Sequence, residues 1–564
     1  MNRILHVTRQ LTNQLEVPHC ANYEPSVLKN LDLEPIQPPR RTWGFWSFFG
    51  YWAVPNLTIW TWSTGSSILA LGMNIQHSMG AITIANVAIV IYSCLNSYTG
   101  SKYHIGYTVC QRATFGIYGS GIGIILRIIL SIVFYGAQGW LGGLSLVVTF
   151  SSLSKNYLEL KNKFPESVAM STRDFIGFLC FQILQFIFYF FRPEQMDKIV
   201  NLSCIFCGIS FIGIFGTCLA KNHGLGALFY ENVNIDKLQI GWMWLYSMTI
   251  WYGALSPDVT NTSDFSRFAH NTKKLNWGII CSIFITGTVV PLFLLLCASM
   301  TEDLYGKKLW LPTDIVLTWL KEDYSPGLRA GSFFLGIAFA SSQLSFNVLT
   351  NGFAGGMDLS GVAPKYINIK RGAVITALLS WVVQPWKFYN TSSIFLDVMS
   401  SFGVIVTPII AILISDFFIV RRKVLKIPDL FSTSRKGSYY FTFGFNLRAI
   451  LTWIASVAPG LPGLIASAAK IKIPSGLNNF YYGNIFFAFC CPFILYTIIC
   501  RLFPPKELAF GDDDADTEVL DGEQIGILSI AEKSEHNTEA AQNLQTQKKN
   551  VTLSVCHEVE DSIC

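Results

Sequence analysis

Three kinds of residue in this 564-residue chain could handle a small charged or polar molecule. They are a carboxylate inside an apolar run, aromatics beside helix-breaking prolines, and isolated polar groups next to them. The carboxylate is Asp258, in Trp251-Tyr252-Gly253-Ala254-Leu255-Ser256-Pro257-Asp258. A charge placed in hydrocarbon costs roughly 2.5–3.5 kcal/mol on insertion scales and marks function by default. No cationic side chain lies near it in sequence. Asp258 is therefore a candidate counter-ion for a cationic substrate, or a proton site. The plainer alternative is a carboxylate capping a half-helix that restarts after Pro257, where an anion is favoured. The two are compatible. The second stretch is Tyr51-Trp52-Ala53-Val54-Pro55-Asn56-Leu57-Thr58-Ile59-Trp60-Thr61-Trp62. Pro55 cannot continue a helix ladder, and Asn56 and Thr58 are polar beside it. Trp60, Trp62, Trp251 and Tyr252 flank the two stretches, and aromatic faces near a carboxylate suit a flat cation by about 0.5–2 kcal/mol. The alternative is plain packing, most readily for Trp62 and Trp251.

The elements that must position these residues are membrane spans. The chain is 51% hydrophobic and 14% charged, against roughly 25% charged in soluble proteins. Mean hydropathy is +0.40. This excludes a disordered chain, a nucleic-acid binder built on net charge and most soluble enzymes. A span needs about 20 mostly apolar residues. Twelve stretches qualify: 47–72, 77–97, 117–149, 171–191, 196–219, 240–264, 275–299, 329–352, 372–389, 393–420, 446–468 and 481–502. The weakest is 372–389, which is short and holds Pro385 and Lys387. Residues 102–121 are too polar to cross, and 309–320 reads as an interfacial or re-entrant helix. The two proline stretches fall in spans one and six, which a five-plus-five inverted repeat would break together around a midplane site.

Short loops rich in Lys and Arg mark the cytoplasmic side. The basic clusters are 40–41, 102–112, 192–198, 267–274, 365–371 and 421–426. Most fall on one side if twelve spans alternate, which puts both termini in the cytoplasm; the cluster at 192–198, in a very short link, says little. No signal peptide is visible. The expected organisation is a cytoplasmic N-terminal segment over 1–45, a transporter domain over 46–502 and a disordered acidic tail over 503–564. The tail holds 14 acidic and 4 basic residues, so the overall +5 hides +15 over residues 1–502. Such a tail cannot order itself by apolar burial. Its Lys506, Lys533, Lys548 and Lys549 are candidate modification sites for ubiquitin machinery. Most of the 14 Cys sit in spans as small hydrophobes. Neither a metal set nor a cofactor motif nor a catalytic constellation is recognisable, and an enzyme is not expected.

Several motifs together resemble a known family. They are Phe134-Tyr135-Gly136-Ala137-Gln138, Asn261-Thr262-Ser263-Asp264-Phe265-Ser266-Arg267-Phe268, Asn347 and Asn351 with Pro364-Lys365-Tyr366-Ile367-Asn368-Ile369-Lys370-Arg371-Gly372, and Asp416-Phe417-Phe418 before Arg421-Arg422. They resemble the nucleobase–cation symporters over roughly residues 41–503. The stretches around Pro55 and Pro257 look like that family's fungal thiamine and nicotinamide riboside branch. The resemblance implies an all-α, LeuT-type fold of ten core helices in two inverted repeats, with helices 1 and 6 broken, plus two C-terminal helices.

It also implies site residues. The family's substrate-bonding Gln matches Gln138, and its span-eight Asn matches Asn351, with Asn347 beside it. A stacking Trp matches Phe134. A second one matches Leu255, so Trp251 or Tyr252 is expected to substitute. With Asn56, Trp60 and Asp258 these make up the expected substrate site. Sodium-coupled members bind the ion through a Ser-Thr pair in span eight; the match here is Ser345-Phe346, leaving Ser342 and Ser345 as a remnant. Proton coupling is expected instead, with Asp258 as carrier. The implied function is plasma-membrane import of a cationic vitamin. The alternatives are a carrier of a neutral nucleobase, nucleoside or allantoin, and a non-transporting nutrient sensor.

Overall fold

A computed structural model describes residues 16–17, 26–230, 236–389 and 392–505. The acidic tail from residue 506 on lies outside the described residues. The chain falls into two units: 1–36 with 40–510, which carries everything below, and 37–39 with 511–564. Of the second unit, the described residues 37–39 hold only the start of a short turn.

The architecture of the described residues is all-helical. Span one is two helices, α1 (Phe45–Asn56) and α2 (Ile59–Ile68). Pro55 stands in the last turn of α1. Its carbonyl accepts from the hydroxyls of Thr58, at 2.8 Å, and Thr61, at 2.5 Å. The polar residues that follow the proline thus absorb the backbone bonds that the break releases. Then come α3 (Ile75–Tyr103), α4 (Tyr107–Phe115), α5 (Gly121–Leu153), α6 (Thr172–Phe188) and α7 (Asp197–Asn222). The polar stretch expected not to cross is the short α4, every residue of which is buried.

Span six differs from expectation. Helix α8 (Lys237–Thr260) runs unbroken through Pro257. The proline cannot bond the Gly253 carbonyl, and the Ser256 hydroxyl does so instead at 2.9 Å. The helix therefore needs no break at 251–258; it ends at Thr260 and is followed by α9 (Thr262–Ser266). Asp258 accordingly lies within a helix and caps none.

After α10 (Thr272–Tyr305) comes α11 (Pro312–Glu322), the expected interfacial piece. Span eight is α12 (Pro326–Phe346), a π-helical segment (Asn347–Phe353) and α13 (Ala354–Val362). Inserted π turns often mark functional sites. Helix α14 (Ile369–Leu379) is only 11 residues long, which fits the weakness of that stretch. The last helices among the described residues are α15 (Ser392–Ser415), α16 (Leu447–Val457), α17 (Leu461–Ala469), α18 (Ser475–Tyr482) and α19 (Asn484–Leu502). Among the described residues seven helices are long and apolar enough to cross a membrane, or eight counting the α16–α17 pair, bent by 44°.

Two packed groups organise the molecule. Helices α1, α2, α3, α8 and α10 pack on one another, and α5, α6, α12, α13 and α14 form a second group. The basic clusters gather at one end. The ring Nδ1 of His104 meets the Arg267 carbonyl at 2.9 Å, and Lys102 donates to the Lys423 carbonyl. Asn30 of the N-terminal segment bonds the Pro364 and Ile367 carbonyls. Trp43 bridges Ala269 and also donates to the Glu194 carbonyl, which brings the cluster at 192–198 to this end too.

Candidate substrate site

The aromatic part of the site is built where α2, α5, α8 and α15 meet. The break delivers Trp60 into the interior, where its Nε1 donates to the Ala254 carbonyl at 3.3 Å. Its ring lies 4.9 Å from that of Phe134 at 50°. Phe134 in turn meets Phe402 of α15 at 4.7 Å and 55°. Phe402 had no signal in the sequence, being one Phe among 43. Asp258 follows Ala254 by one helical turn, so it shares that face of α8 with the carbonyl that Trp60 engages.

Trp251 and Tyr252, expected to replace a missing stacking ring, are committed elsewhere. The Trp251 Nε1 donates to Asn86 Oδ1 at 2.8 Å, and Asn86 donates to the Gly287 carbonyl at 2.7 Å. Tyr252 accepts from the Thr407 hydroxyl at 3.1 Å and packs edge-on to Tyr92. Both clamp α8 to its neighbours. Asn56 likewise ties the break to α10, its Nδ2 donating to the Trp52 carbonyl and the Thr286 hydroxyl, while its buried Oδ1 has no partner among the described residues.

The amide part lies on α5 and span eight. Gln138 is fully buried, and neither its Oε1 nor its Nε2 has a partner among the described residues. Buried polar groups are nearly always paired, so an amide left open at both ends is a place for a ligand. Asn351 donates to Asn347 at 3.0 Å. Asn347 donates to the Tyr135 carbonyl at 3.0 Å and to Gln185 of α6 at 2.6 Å. Asn347 therefore spends its amide holding Asn351 and α5.

The charged part corrects the picture of a solitary carboxylate. Asp258 is 4% exposed and makes no side-chain hydrogen bond or ion pair among the described residues, yet Arg127 of α5 lies within electrostatic reach. Arg127 and Asp358 of α13 face each other at 3.6 Å, both fully buried. That is an ion pair longer than a hydrogen bond. Nε and Nη1 of Arg127 and both Asp358 oxygens lack hydrogen-bond partners among the described residues. With its amide turned so that the oxygen faces Arg127, the orientation that matches donors to acceptors, Asn261 accepts from Nη2 of Arg127 at 2.9 Å and donates to the Pro257 and Asp258 carbonyls at 2.8 and 3.2 Å. Asp264 accepts from the Tyr107 backbone at 2.8 Å, and the buried Tyr51 hydroxyl, without a hydrogen-bond partner among the described residues, lies within electrostatic range of Asp258 and Asp264. Arg127 lies 131 positions from Asp258 in the chain and Asp358 lies 100, so nothing local in the sequence joins the three. At the basic end, burial lowers His104 below the ordinary histidine value.

The ion-site remnant divides. The Ser342 hydroxyl donates to the Leu57 carbonyl in the break of span one. Ser345 donates to the Ser341 carbonyl of its own helix, at 2.8 Å.

A buried polar site between two groups of apolar helices, one of them broken, defines the class: a membrane transporter. A family model described as "Permease for cytosine/purines, uracil, thiamine, allantoin" matches residues 35–487, and the chain belongs to that family. It is 40% identical over 539 residues to nicotinamide riboside transporter 1 of Saccharomyces cerevisiae, covering 95% of this chain and 90% of the relative. It is 42% identical over 501 residues to a thiamine transporter of the same yeast, covering 88% and 83%. Among solved structures it resembles Mhp1, a nucleobase-cation-symport-1 family transporter, in a closed conformation with bromovinylhydantoin bound. The TM-score is 0.67 at 18% identity, covering 86% of this chain and 98% of that one. That likeness establishes a LeuT-like fold.

Proposed function

We propose that the protein imports a cationic vitamin, thiamine or nicotinamide riboside, across the plasma membrane by proton symport and alternating access. The single observation that carries this is the Asp258 carboxylate, buried on α8 one helical turn after Ala254, whose carbonyl accepts from Trp60, and without a hydrogen bond or ion pair among the described residues. Thiazolium and pyridinium rings both pair a flat aromatic face with a fixed charge, which an aromatic wall beside a carboxylate accommodates. Names and identities of the yeast relatives support the same choice. In this reading all twelve stretches span the bilayer, ten of them in two inverted repeats. The basic end faces the cytoplasm with both termini, and Asp258 takes up a proton when the cation leaves.

One observation favours the other cargo. Arg127 already acts on Asp258, and a carboxylate balanced from within would serve a neutral base. Uptake of labelled thiamine and nicotinamide riboside, each competed with the other and with uracil at two external pH values, separates the two. Import of a cation that rises at acid pH and collapses in Asp258→Asn is the expected result. Competition by uracil alone would overturn it.

A further inference from the structure

A buried amide can turn either end to a neighbour, and the end it turns decides whether a site accepts or donates. In span eight that choice is already made. The Asn347 atom 3.0 Å from the Tyr135 carbonyl must be Nδ2, because a backbone carbonyl only accepts. The same Nδ2 lies 2.6 Å from Gln185, which must offer Oε1. In that attitude its Nε2 donates to Gln182 Oε1 at 3.1 Å, while Gln182 Nε2 has no partner among the described residues. Both hydrogens of Asn347 are thereby used, and its Oδ1 is left for Asn351 Nδ2. At the end of the chain stands Asn351 Oδ1, to which no described residue donates. Gln185 and Asn347 are fully buried, so no solvent competes for either.

We propose that Gln185 is a positioning residue that sets specificity. By engaging the second hydrogen of Asn347 it makes Asn351 present an acceptor. That selects heteroaromatic cargo bearing an N–H donor, an exocyclic amino or carboxamide group, over analogues with an oxygen in its place. Without Gln185 one hydrogen of Asn347 is buried and unpaired and its amide is held by the Tyr135 carbonyl alone, so the bias on its orientation weakens and Asn351 turns its amide over more easily. Gln185 itself acts at two removes from the cargo. Nothing in the sequence singles it out: it is one amide in the apolar run Phe181-Gln182-Ile183-Leu184-Gln185-Phe186.

The inference rests on the transport reading above, and the two fail differently. The test is uptake in cells lacking their own carriers, with carrier at the surface quantified. Labelled thiamine is competed with its analogue whose pyrimidine amino group is replaced by oxo; nicotinamide riboside is competed with its nicotinic acid counterpart. The wild-type chain should prefer the amino or carboxamide form by about tenfold, the worth of one buried hydrogen bond gained rather than opposed. Gln185→Met should raise KM about tenfold and shrink the preference below about threefold, with maximal uptake per surface carrier unchanged. Should Gln185→Met not reach the surface, Gln182→Met removes the partner of Gln185 Nε2 and should move the preference the same way. An unchanged preference in the Met variant, or a loss confined to maximal uptake, overturns the inference alone. A wild-type chain that takes up neither cation overturns the transport reading and this with it.

Discussion

The polar interior of this transporter is wired in two different ways. Between α5, α6 and span eight, Gln182, Gln185, Asn347 and Asn351 pass hydrogen bonds along a line that ends on an open acceptor. Arg127 and Asp358, farther along α5 and span eight, and Asp258 and Asp264, on α8 and α9, are as deeply buried, but the Arg127–Asp358 pair stands at 3.6 Å with most of its polar atoms unmatched. Neutral amides can be fully satisfied inside a protein, so their donor and acceptor sense is set once. Buried charges carry a desolvation cost that a loose pairing does not repay. Their balance therefore stays open to whatever charge enters. In the proposed reading, the first region selects the cargo's shape and hydrogen bonds, and the second responds to its charge.

The largest effect should come from removing the cation that three carboxylates share. Arg127→Ala is expected to abolish uptake and to cost about 3–5 kcal/mol of stability, since it strands buried charge. Thermal unfolding in detergent measures this. Arg127→Ala combined with Asp358→Ala should recover much of the loss; a double variant no more stable than the single one would show that the pair is not the balance described. Next is Gln138→Leu. With no internal bond to lose, it should leave unfolding unchanged and raise KM for the cargo about tenfold. A clear loss of stability would mean that Gln138 is as internally engaged as its neighbours. Smaller still, Trp251→Phe should lower stability by about 1 kcal/mol through its bond to Asn86 while leaving KM alone. A changed KM would return Trp251 to the site. Last, Ser345→Ala should alter stability by no more than about 0.5 kcal/mol and leave uptake indifferent to sodium. A sodium dependence that this variant removes would restore the ion site.

Much of this was legible beforehand, for reasons that are local. The break at Pro55 follows from a residue without an N–H, with Thr58 and Thr61 at hand to take up its carbonyl. The short α14 and the polar α4 are equally visible in composition. The same reasoning failed at Pro257, because whether a proline breaks a helix depends on what satisfies the freed carbonyl. There Ser256 supplies a hydroxyl within the same turn. Trp251 and Tyr252 show a related limit: an aromatic beside a polar stretch looks the same whether its donor meets a cargo or, like Trp251, an asparagine 165 positions away.

What the sequence determined by itself is the solvent and the class. Its apolar runs, few charges and basic loops demand a bilayer, and its motifs place it among the nucleobase–cation permeases. Asp258 was conspicuous because a carboxylate in an apolar run is costly wherever the helices go. Only the tertiary structure decided what surrounds it. Arg127, Asp358 and Tyr51 come from helices remote in sequence, as does the Gln185 that engages Asn347. A charge's balance and an amide's orientation are properties of contacts that packing alone creates.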